Sequence, residues 1–168
     1  EAQLQTIEAE PVHPVTERLS VLLVEDNEMN RIVARTMIEA DGHSVVEAHD
    51  GKEGSDVAAY QRFDLVFMDI NMPVMDGREA TRRIRSDGGA SSKAPIIALT
   101  ANAMASDQTA LLEDGMDAVL TKPLSRDALR VVLAKHGAVR QTSHDVVSLE
   151  HSSETRNALG EQAFGTLL

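Results

Sequence analysis

The sequence predicts an α/β protein in which a five-stranded parallel sheet carries helices on both faces. Short β-rich apolar segments alternate with helical segments five times along the chain, and such alternation requires crossovers between parallel strands. The segment 65–68 is continuously apolar and too short for a helix, which is typical of a strand buried on both faces. Right-handed crossovers then favour a doubly wound, flavodoxin-like strand order 2-1-3-4-5.

Local patterns justify each element in turn. The predicted strands cover residues 20–24, 43–48, 64–68, 95–100 and 117–121. The predicted helices that follow them cover residues 28–41, 51–61, 78–85, 104–113 and 126–135. Asn27 and Ser125 are suitable N-cap residues, while Gly42 and Gly115 are suitable stop signals. In the first helix, one face collects the apolar residues Met29, Ile32, Val33, Met37 and Ala40.

Composition limits the classes of function. The net charge of −11 argues against nucleic acid or an anionic membrane surface as a direct partner, and favours cations or basic protein faces. The chain has no cysteine, which excludes disulfides and thiolate metal sites. No segment approaches the roughly 18 consecutive apolar residues of a membrane span. We therefore expect a cytoplasmic domain, although the parent protein could be membrane-anchored.

The chain divides into one domain and its flanks. We predict an acidic linker at 1–18, the α/β domain at 19–137, a second linker at 138–151 and short helices at 152–168. Because the chain begins at Glu1 rather than Met, we expect it to be a fragment of a longer protein.

Polar side chains stand where the predicted strands end. Glu25 and Asp26 follow strand one, Asp69 follows strand three, Thr100 ends strand four and Lys122 follows strand five. Because these ends meet at one edge of a parallel sheet, three carboxylates converge there and repel each other unless a cation neutralises them. Hard oxygen ligands favour Mg²⁺, and a lysine with a threonine hydroxyl suits phosphoryl oxygens. The pattern predicts phosphoryl transfer onto Asp69.

Each of these residues also has an ordinary structural explanation. Glu25 and Asp26 could simply favour a helix dipole, Thr100 could be a β-branched strand residue, and Lys122 could be a surface charge. It is their placement at successive strand ends that favours a functional site. The remaining charged groups are interpreted as surface or linker residues, namely the six histidines and the face formed by Arg78, Arg82, Arg83 and Arg85.

Several motifs resemble those of the receiver domains of two-component signalling. The matching segments are Val24-Glu25-Asp26-Asn27, Met68-Asp69-Ile70-Asn71-Met72-Pro73-Val74-Met75-Asp76-Gly77, Ile97-Ala98-Leu99-Thr100-Ala101 and Lys122-Pro123. They spread over about 19–137, and their joint occurrence is highly specific. The resemblance implies the flavodoxin-like (CheY-like) fold already predicted from the alternation of elements.

The resemblance also implies a role for each matching residue. Asp69 would accept a phosphoryl group from phosphohistidine, Lys122 would contact that group, and Thr100 would move to hydrogen-bond it. A cis bond between Lys122 and Pro123 is expected. The implied Mg²⁺ ligands are Asp26, Asp69 and the backbone carbonyl of Asn71, with Glu25 assisting through water.

The residue sequence of the motif around Asp69 is most similar to that of receivers joined to hybrid sensor histidine kinases. The expected partners are a histidine kinase core and a histidine phosphotransfer domain, which would dock near Asn30, Val33 and Met37 of the first helix. Residues 152–168 are similar to the opening helices of such a phosphotransfer domain, truncated before its histidine. The fragment itself would transfer and release phosphoryl groups without an ATP site, and its parent would be the histidine kinase.

Three alternatives stay open from the sequence alone. The chain could be a stand-alone response regulator, an interaction module that keeps the fold without switching, or a small hydrolase using Asp69. The hydrolase is disfavoured because Asn71 stands where an aspartyl phosphatase would carry a general acid. The chain departs from the receiver pattern at Val119, where the family usually has Tyr or Phe. We therefore expect little rearrangement of the face formed by strand five and the last helix.

Overall fold

The computed structural model describes residues 17–102 and 104–136, and its centre is a parallel sheet of five strands. The sheet order is β2-β1-β3-β4-β5, so β3 is the central strand. The strands are β1 (Ser20–Val24), β2 (Ser44–Ala48), β3 (Leu65–Asp69), β4 (Ile96–Thr100) and β5 (Ala118–Thr121). The predicted fold class and strand order are confirmed.

Helices connect the strands and cover both faces of the sheet. They are α1 (Glu28–Ala40), α2 (Gly51–Tyr60), α3 (Gly77–Ser86), α4 (Ala105–Glu113) and α5 (126–136). One buried cluster includes Leu22, Val66, Met68 and Ala98, and the cluster on the opposite face includes Leu23, Phe67 and Leu99. Neighbouring residues of each strand therefore serve different cores, which explains the continuous apolar runs in the sequence.

Side-chain caps fix where the helices begin. Asn27 accepts a hydrogen bond from the Asn30 amide, as predicted, and Asp50 and Asp76 cap α2 and α3 in the same way. Gly42 follows the last turn of α1 with a φ of 91°, a conformation that glycine adopts at little cost. The caps of α1 and α2 place the start of these two helices just beyond a strand end, whereas α4 begins without a side-chain cap.

The apolar pattern of α1 was misread in part. The structure buries Ala34 and Ile38 of this helix, while Met29, Ile32 and Val33 are exposed. Both sets repeat at helical spacing, so periodicity alone does not reveal which set packs on the sheet. The result is an apolar strip on the outer surface of α1, which we call the α1 strip (Met29, Ile32 and Val33).

One interpretation of charged residues was incomplete and another was wrong. The arginine face of α3 is exposed at Arg78 and Arg82, as interpreted from the sequence, but its members also form ion pairs: Arg78 and Arg82 bind Asp114, Arg83 binds Asp56, and Arg85 binds Asp117. His43 is not a surface residue, because its side chain is buried and its Nδ1 accepts a hydrogen bond of 3.2 Å from the Leu19 amide. Both differences arise because the partners are distant in sequence and meet only in the fold.

Some predictions fall outside the described residues. They are the acidic linker up to residue 16, the linker at 138–151 and the assignment of 152–168 to a phosphotransfer domain. Within the described part of the chain, no helix has the length and apolar character needed to cross a membrane.

Candidate functional site

Three carboxylates meet at the carboxyl edge of the sheet. Glu25 and Asp26 follow β1, and Asp69 is the last residue of β3, one residue further into the strand than predicted. Each offers an oxygen that lies within 4.8 Å of the oxygens of the other two. We call Glu25, Asp26 and Asp69 the acidic cluster. Three hard oxygen donors at this separation fit a divalent cation such as Mg²⁺.

Lys122 reaches the acidic cluster from the loop after β5. Its Nζ lies 2.7 Å from Oε2 of Glu25 and 3.0 Å from Oδ1 of Asp69. The Lys122–Pro123 peptide bond is cis, as predicted. One ammonium thus bridges two buried carboxylates, and Asp26 is the exposed member of the cluster.

The environment shifts the pKa values of Asp69 and Lys122. Burial, reinforced by the negative charge of Glu25, raises the pKa of Asp69 to about 6, although the hydrogen bond from Lys122 acts in the opposite sense. Burial alone would lower the pKa of Lys122, but its hydrogen bonds to Glu25 and Asp69 outweigh that effect and raise it. At neutral pH the site therefore combines an ionised, poorly solvated Asp69 with a firmly protonated lysine.

Thr100 lies at the same edge but its hydroxyl is engaged elsewhere. The Oγ1 atom donates to the Asn102 carbonyl at 3.0 Å and accepts from the Asn102 amide at 3.1 Å. Both bonds lie within the loop that follows β4. The Thr100 hydroxyl is thus engaged by this loop, while Lys122 bonds to the carboxylates. The sequence correctly brings Thr100 to this edge but gives no sign of which partner its hydroxyl takes.

The loop after Asp69 is held close to the strand. Gly77 begins α3 so near the Asp69 carbonyl oxygen that an added Cβ would collide with it, which explains the glycine. Val74 has a φ of 69°, a strained conformation for a β-branched residue, and its side chain is exposed. Asn71 lies exposed in this loop, two residues beyond Asp69.

Sequence reasoning missed one residue beside the site. Arg31 lies on α1, and its Nη1 donates to the carbonyl oxygen of Glu25 at 3.0 Å. In the sequence it is an ordinary polar position of an amphipathic helix. Helical side chains lean toward the N-terminus of their helix, which lets an arginine six residues after Glu25 reach back to the Glu25 carbonyl. The spacing alone does not predict this contact.

A strand-end acidic cluster with a bridging lysine, carried on this sheet order, defines a receiver-type signalling domain. The model of the response regulator receiver domain matches residues 21–134, and the chain belongs to that family.

Relatives of two kinds share this domain. The chain is 36% identical over 151 residues to the sensor protein EvgS of Escherichia coli K12, covering 89% of this chain but 12% of EvgS. It is 46% identical over 123 residues to the two-component response regulator ORR41 of Oryza sativa, covering 70% of this chain and 93% of ORR41. The chain thus spans a small part of the sensor protein and nearly all of the rice regulator.

Solved structures agree with the fold. The receiver domain of the sensor histidine kinase PA1611 from Pseudomonas aeruginosa, described with a magnesium ion in its active site cleft, is 39% identical with a TM-score of 0.67. The alignment covers 72% of this chain and 98% of that one. The Saccharomyces cerevisiae Ssk1 receiver, crystallised with the phosphotransfer protein Ypd1, is 29% identical with a TM-score of 0.67, covering 73% and 91%.

Proposed function

We propose that this receiver domain takes a phosphoryl group from a phosphohistidine onto Asp69, with Mg²⁺, as one step of a phosphorelay. The observation that carries the proposal is the contact of Lys122 with both Asp69 and Glu25 inside a cluster of three carboxylates. A structural ion pair would balance one carboxylate with one cation. This cluster instead keeps an excess of negative charge beside a nucleophilic oxygen, which is the arrangement that phosphoryl transfer with a divalent cation requires.

The transfer uses the groups of this chain in defined roles. An Asp69 carboxylate oxygen attacks phosphorus, the P–O bond forms as the P–N bond breaks, and the electron pair leaves with the imidazole of the donor. Lys122 turns from the carboxylates toward a phosphoryl oxygen, and the Thr100 hydroxyl leaves Asn102 to donate to another. Asp26, Asp69 and the backbone carbonyl of Asn71 would hold Mg²⁺, with Glu25 acting through water. The bound ion supplies positive charge that offsets the charge of the phosphoryl oxygens.

The α1 strip is the proposed docking surface for the donor or acceptor phosphotransfer domain. Exposed apolar residues on the helix that follows Glu25 and Asp26 are suited to bind another protein. Asn30 on the same helix is exposed, whereas Met37, which the sequence also assigned to this surface, is half-buried because it packs against the core. The complex of the Ssk1 receiver with Ypd1 supports a phosphotransfer protein as the class of partner.

The parent of this domain is proposed to be a hybrid sensor histidine kinase that carries the receiver in the cytoplasm. Similarity to sensor proteins such as EvgS supports this context, and the ATP site would then belong to the kinase core of the parent. A stand-alone response regulator is the second candidate, because ORR41 is matched over 93% of its length. Sequencing the parent gene on both sides of this chain separates the two.

Phosphorylation of the isolated domain tests the proposal directly. With acetyl phosphate and Mg²⁺, intact-mass measurement should find one added phosphoryl group, which chelation of Mg²⁺ prevents. Asp69→Asn should abolish the addition, Asp26→Asn should raise the Mg²⁺ concentration required, and Asp127→Asn on the exposed face of α5 should change neither. Equal labelling of Asp69→Asn and the parent would refute the assignment.

Docking is tested separately from chemistry. Ile32→Glu and Val33→Glu place charge on the α1 strip and should slow transfer from a phosphorylated histidine phosphotransfer domain at least about tenfold, the effect of about 1.4 kcal/mol in complex stability. Labelling by acetyl phosphate should be unchanged. The matched control is Leu112→Glu on the exposed surface of α4. Equal slowing by the control would place the docking surface elsewhere.

A further inference from the structure

Arg31 joins the acidic cluster to the edge strand of the sheet. Its Nη1 lies 3.0 Å from the carbonyl oxygen of Glu25 and 3.4 Å from that of Asp26. Its Nε lies 3.6 Å from Oε1 of Glu47 on β2. The side chain is only 11% exposed, although it is a cation on the second turn of a surface helix. Burial of this kind requires specific partners, and the two carbonyl oxygens with Glu47 supply them.

The turn between β1 and α1 carries two of the three carboxylates. The Glu25 amide donates to the Ala48 carbonyl at 3.1 Å, and the Asn27 amide donates to the Glu25 side chain at 3.1 Å. The first bond holds the Val24–Glu25 peptide unit and the second holds the Asp26–Asn27 unit, while the unit between them contributes the Glu25 carbonyl oxygen that Arg31 contacts. The guanidinium thus contacts the carbonyl oxygens of the two peptide units that flank the Cα atom of Asp26, the exposed member of the acidic cluster. It thereby limits how that segment can rotate, and with it the direction of the Asp26 carboxylate.

We propose that Arg31 is a positioning residue for the divalent cation of the acidic cluster, acting through the backbone of Glu25 and Asp26 and touching neither the cation nor the phosphoryl group. This inference rests on the proposed Mg²⁺ site. Partners of this kind, one step behind a ligand, usually change metal affinity about 10- to 100-fold when they are removed. Glu47 holds the guanidinium from the other side, so the restraint runs from β2 through Arg31 to the cation site.

Charge and positioning predict opposite results, which makes the inference testable. If Arg31 mattered only as a positive charge near the site, its removal would strengthen binding of Mg²⁺. If it positions Asp26, its removal weakens binding despite the lost repulsion. Arg35 provides the matched control, since it is also an arginine of α1 and binds the same Glu47 at 3.0 Å, while its other ionic contact is with Glu39 on the same helix.

The experiment measures Mg²⁺ affinity of the domain by isothermal titration calorimetry for the parent, Arg31→Gln and Arg35→Gln. We expect the Kd of Arg31→Gln to rise about 10- to 100-fold, and that of Arg35→Gln to stay within about twofold or to fall. Arg31→Lys keeps the charge without the planar fork, so we expect incomplete rescue. With acetyl phosphate, Arg31→Gln should need more Mg²⁺ for half-maximal labelling yet reach the rate of the parent at saturation.

The outcomes separate this inference from the proposed function. An unchanged or lower Kd in Arg31→Gln overturns the positioning role even if Asp69 is phosphorylated normally. Failure of the parent itself to bind Mg²⁺ refutes the proposed function instead. Circular dichroism checks that each variant is folded. If Arg31→Gln does not fold, Arg31→Lys decides: a Kd equal to that of the parent overturns the proposal, and a weaker one supports it.

Discussion

The two edges of the sheet use carboxylates in opposite ways. In the turns that precede β2 and β5, Asp41, Asp114 and Asp117 each pair with arginine side chains. At the carboxyl edge, the acidic cluster has three carboxylates, and Lys122 bonds to two of them. The first edge, which we call the balanced edge, neutralises its carboxylates with arginines of the protein itself, whereas the acidic cluster keeps more carboxylates than cations.

This difference separates residues that stabilise the fold from residues for which we propose a chemical role. Balanced, hydrogen-bonded pairs hold helices to the turns beside them. Unbalanced charges raise the free energy of the folded state until a ligand neutralises them, which is a common cost of a binding site. The same substitution should therefore have opposite effects on stability at the two edges.

The largest expected effect is at the balanced edge. Arg85 donates to the carbonyl oxygens of Ser92, Ala94 and Gly115 and to the carboxylate of Asp117. Arg85→Ala leaves all four acceptors without this donor, so we expect a loss of about 3 to 4 kcal/mol in the free energy of unfolding. Urea denaturation measures it. Arg82→Ala, which removes an exposed ion pair, should cost about 0.5 kcal/mol, and equal losses would contradict this reasoning.

The opposite sign is expected at the acidic cluster. Asp69→Asn removes a buried charge whose pKa is raised to about 6, and this shift corresponds to at most about 3 kcal/mol of added stability at pH 7 without metal. Asp117→Asn weakens the bond to Arg85 and should destabilise. Thermal denaturation of both variants, with and without Mg²⁺, checks the prediction. Destabilisation by Asp69→Asn in the absence of metal would show that the cluster is balanced after all.

The advantage of Asp69→Asn also depends on pH. The folded pKa of Asp69 lies above its ordinary value, so its contribution to stability is fully present below about pH 4 and is lost as the pH rises through 6. The difference in unfolding free energy between variant and parent should grow over that range. A difference independent of pH would assign the gain to packing rather than to charge.

A smaller effect is expected at His43, near the balanced edge. Burial lowers the pKa of His43, against the weaker opposing attraction of Asp41, and the neutral Nδ1 accepts from the Leu19 amide. A lowered histidine pKa gives stability that is present above pH 6.5 and declines below it, with a slope of at most about 1.4 kcal/mol per pH unit. NMR titration should find His43 titrating below 6.5. Titration above that value would mean that the imidazole is charged in the fold.

The smallest effect is expected on the outer face of β5 and α5. Val119 is half-buried against the core and has one stiff side-chain torsion, so it cannot swing as a large aromatic residue could. Beryllofluoride with Mg²⁺ should shift NMR signals around Asp26, Asn71, Thr100 and Lys122 while leaving residues 129–135 nearly unchanged. Widespread shifts along α5, or dimerisation on activation, would contradict this prediction.

The sequence reveals the fold well because its signals are local. Apolar strand runs, caps such as Asn27 and stops such as Gly42 depend on neighbours within a few residues, and the predicted element ends differ from the observed ones by at most one position. Which face of α1 points toward the core was harder to predict from the sequence. Ala34 and Ile38 pack on the sheet while the apolar Ile32 and Val33 face solvent, so the side that the helix buries depends on tertiary packing.

The candidate site likewise has one part that the sequence predicts and another part that it does not. Strand ends place Glu25, Asp26, Asp69 and Lys122 together in the structure, and the sequence alone predicts that meeting because parallel strands share one edge. The sequence did not predict the pairings that depend on how far a long side chain extends. Arg85 with Asp117 and Arg31 with the Glu25 carbonyl join residues whose proximity arises only after helices have packed.

The central position of β3 has a consequence for how the domain opens and exchanges its amide hydrogens. Asp69 pairs with Leu99 at the end of the strand that has neighbours on both sides, and such strands release their amide hydrogens only when the whole domain opens. Any ligand that steadies the acidic cluster must therefore slow hydrogen exchange in distant parts of β1 and β4, not just around the ion. The exchange rates of the slowest amides in the sheet therefore report whether the charge of the acidic cluster has been neutralised, although those amides do not contact its carboxylates.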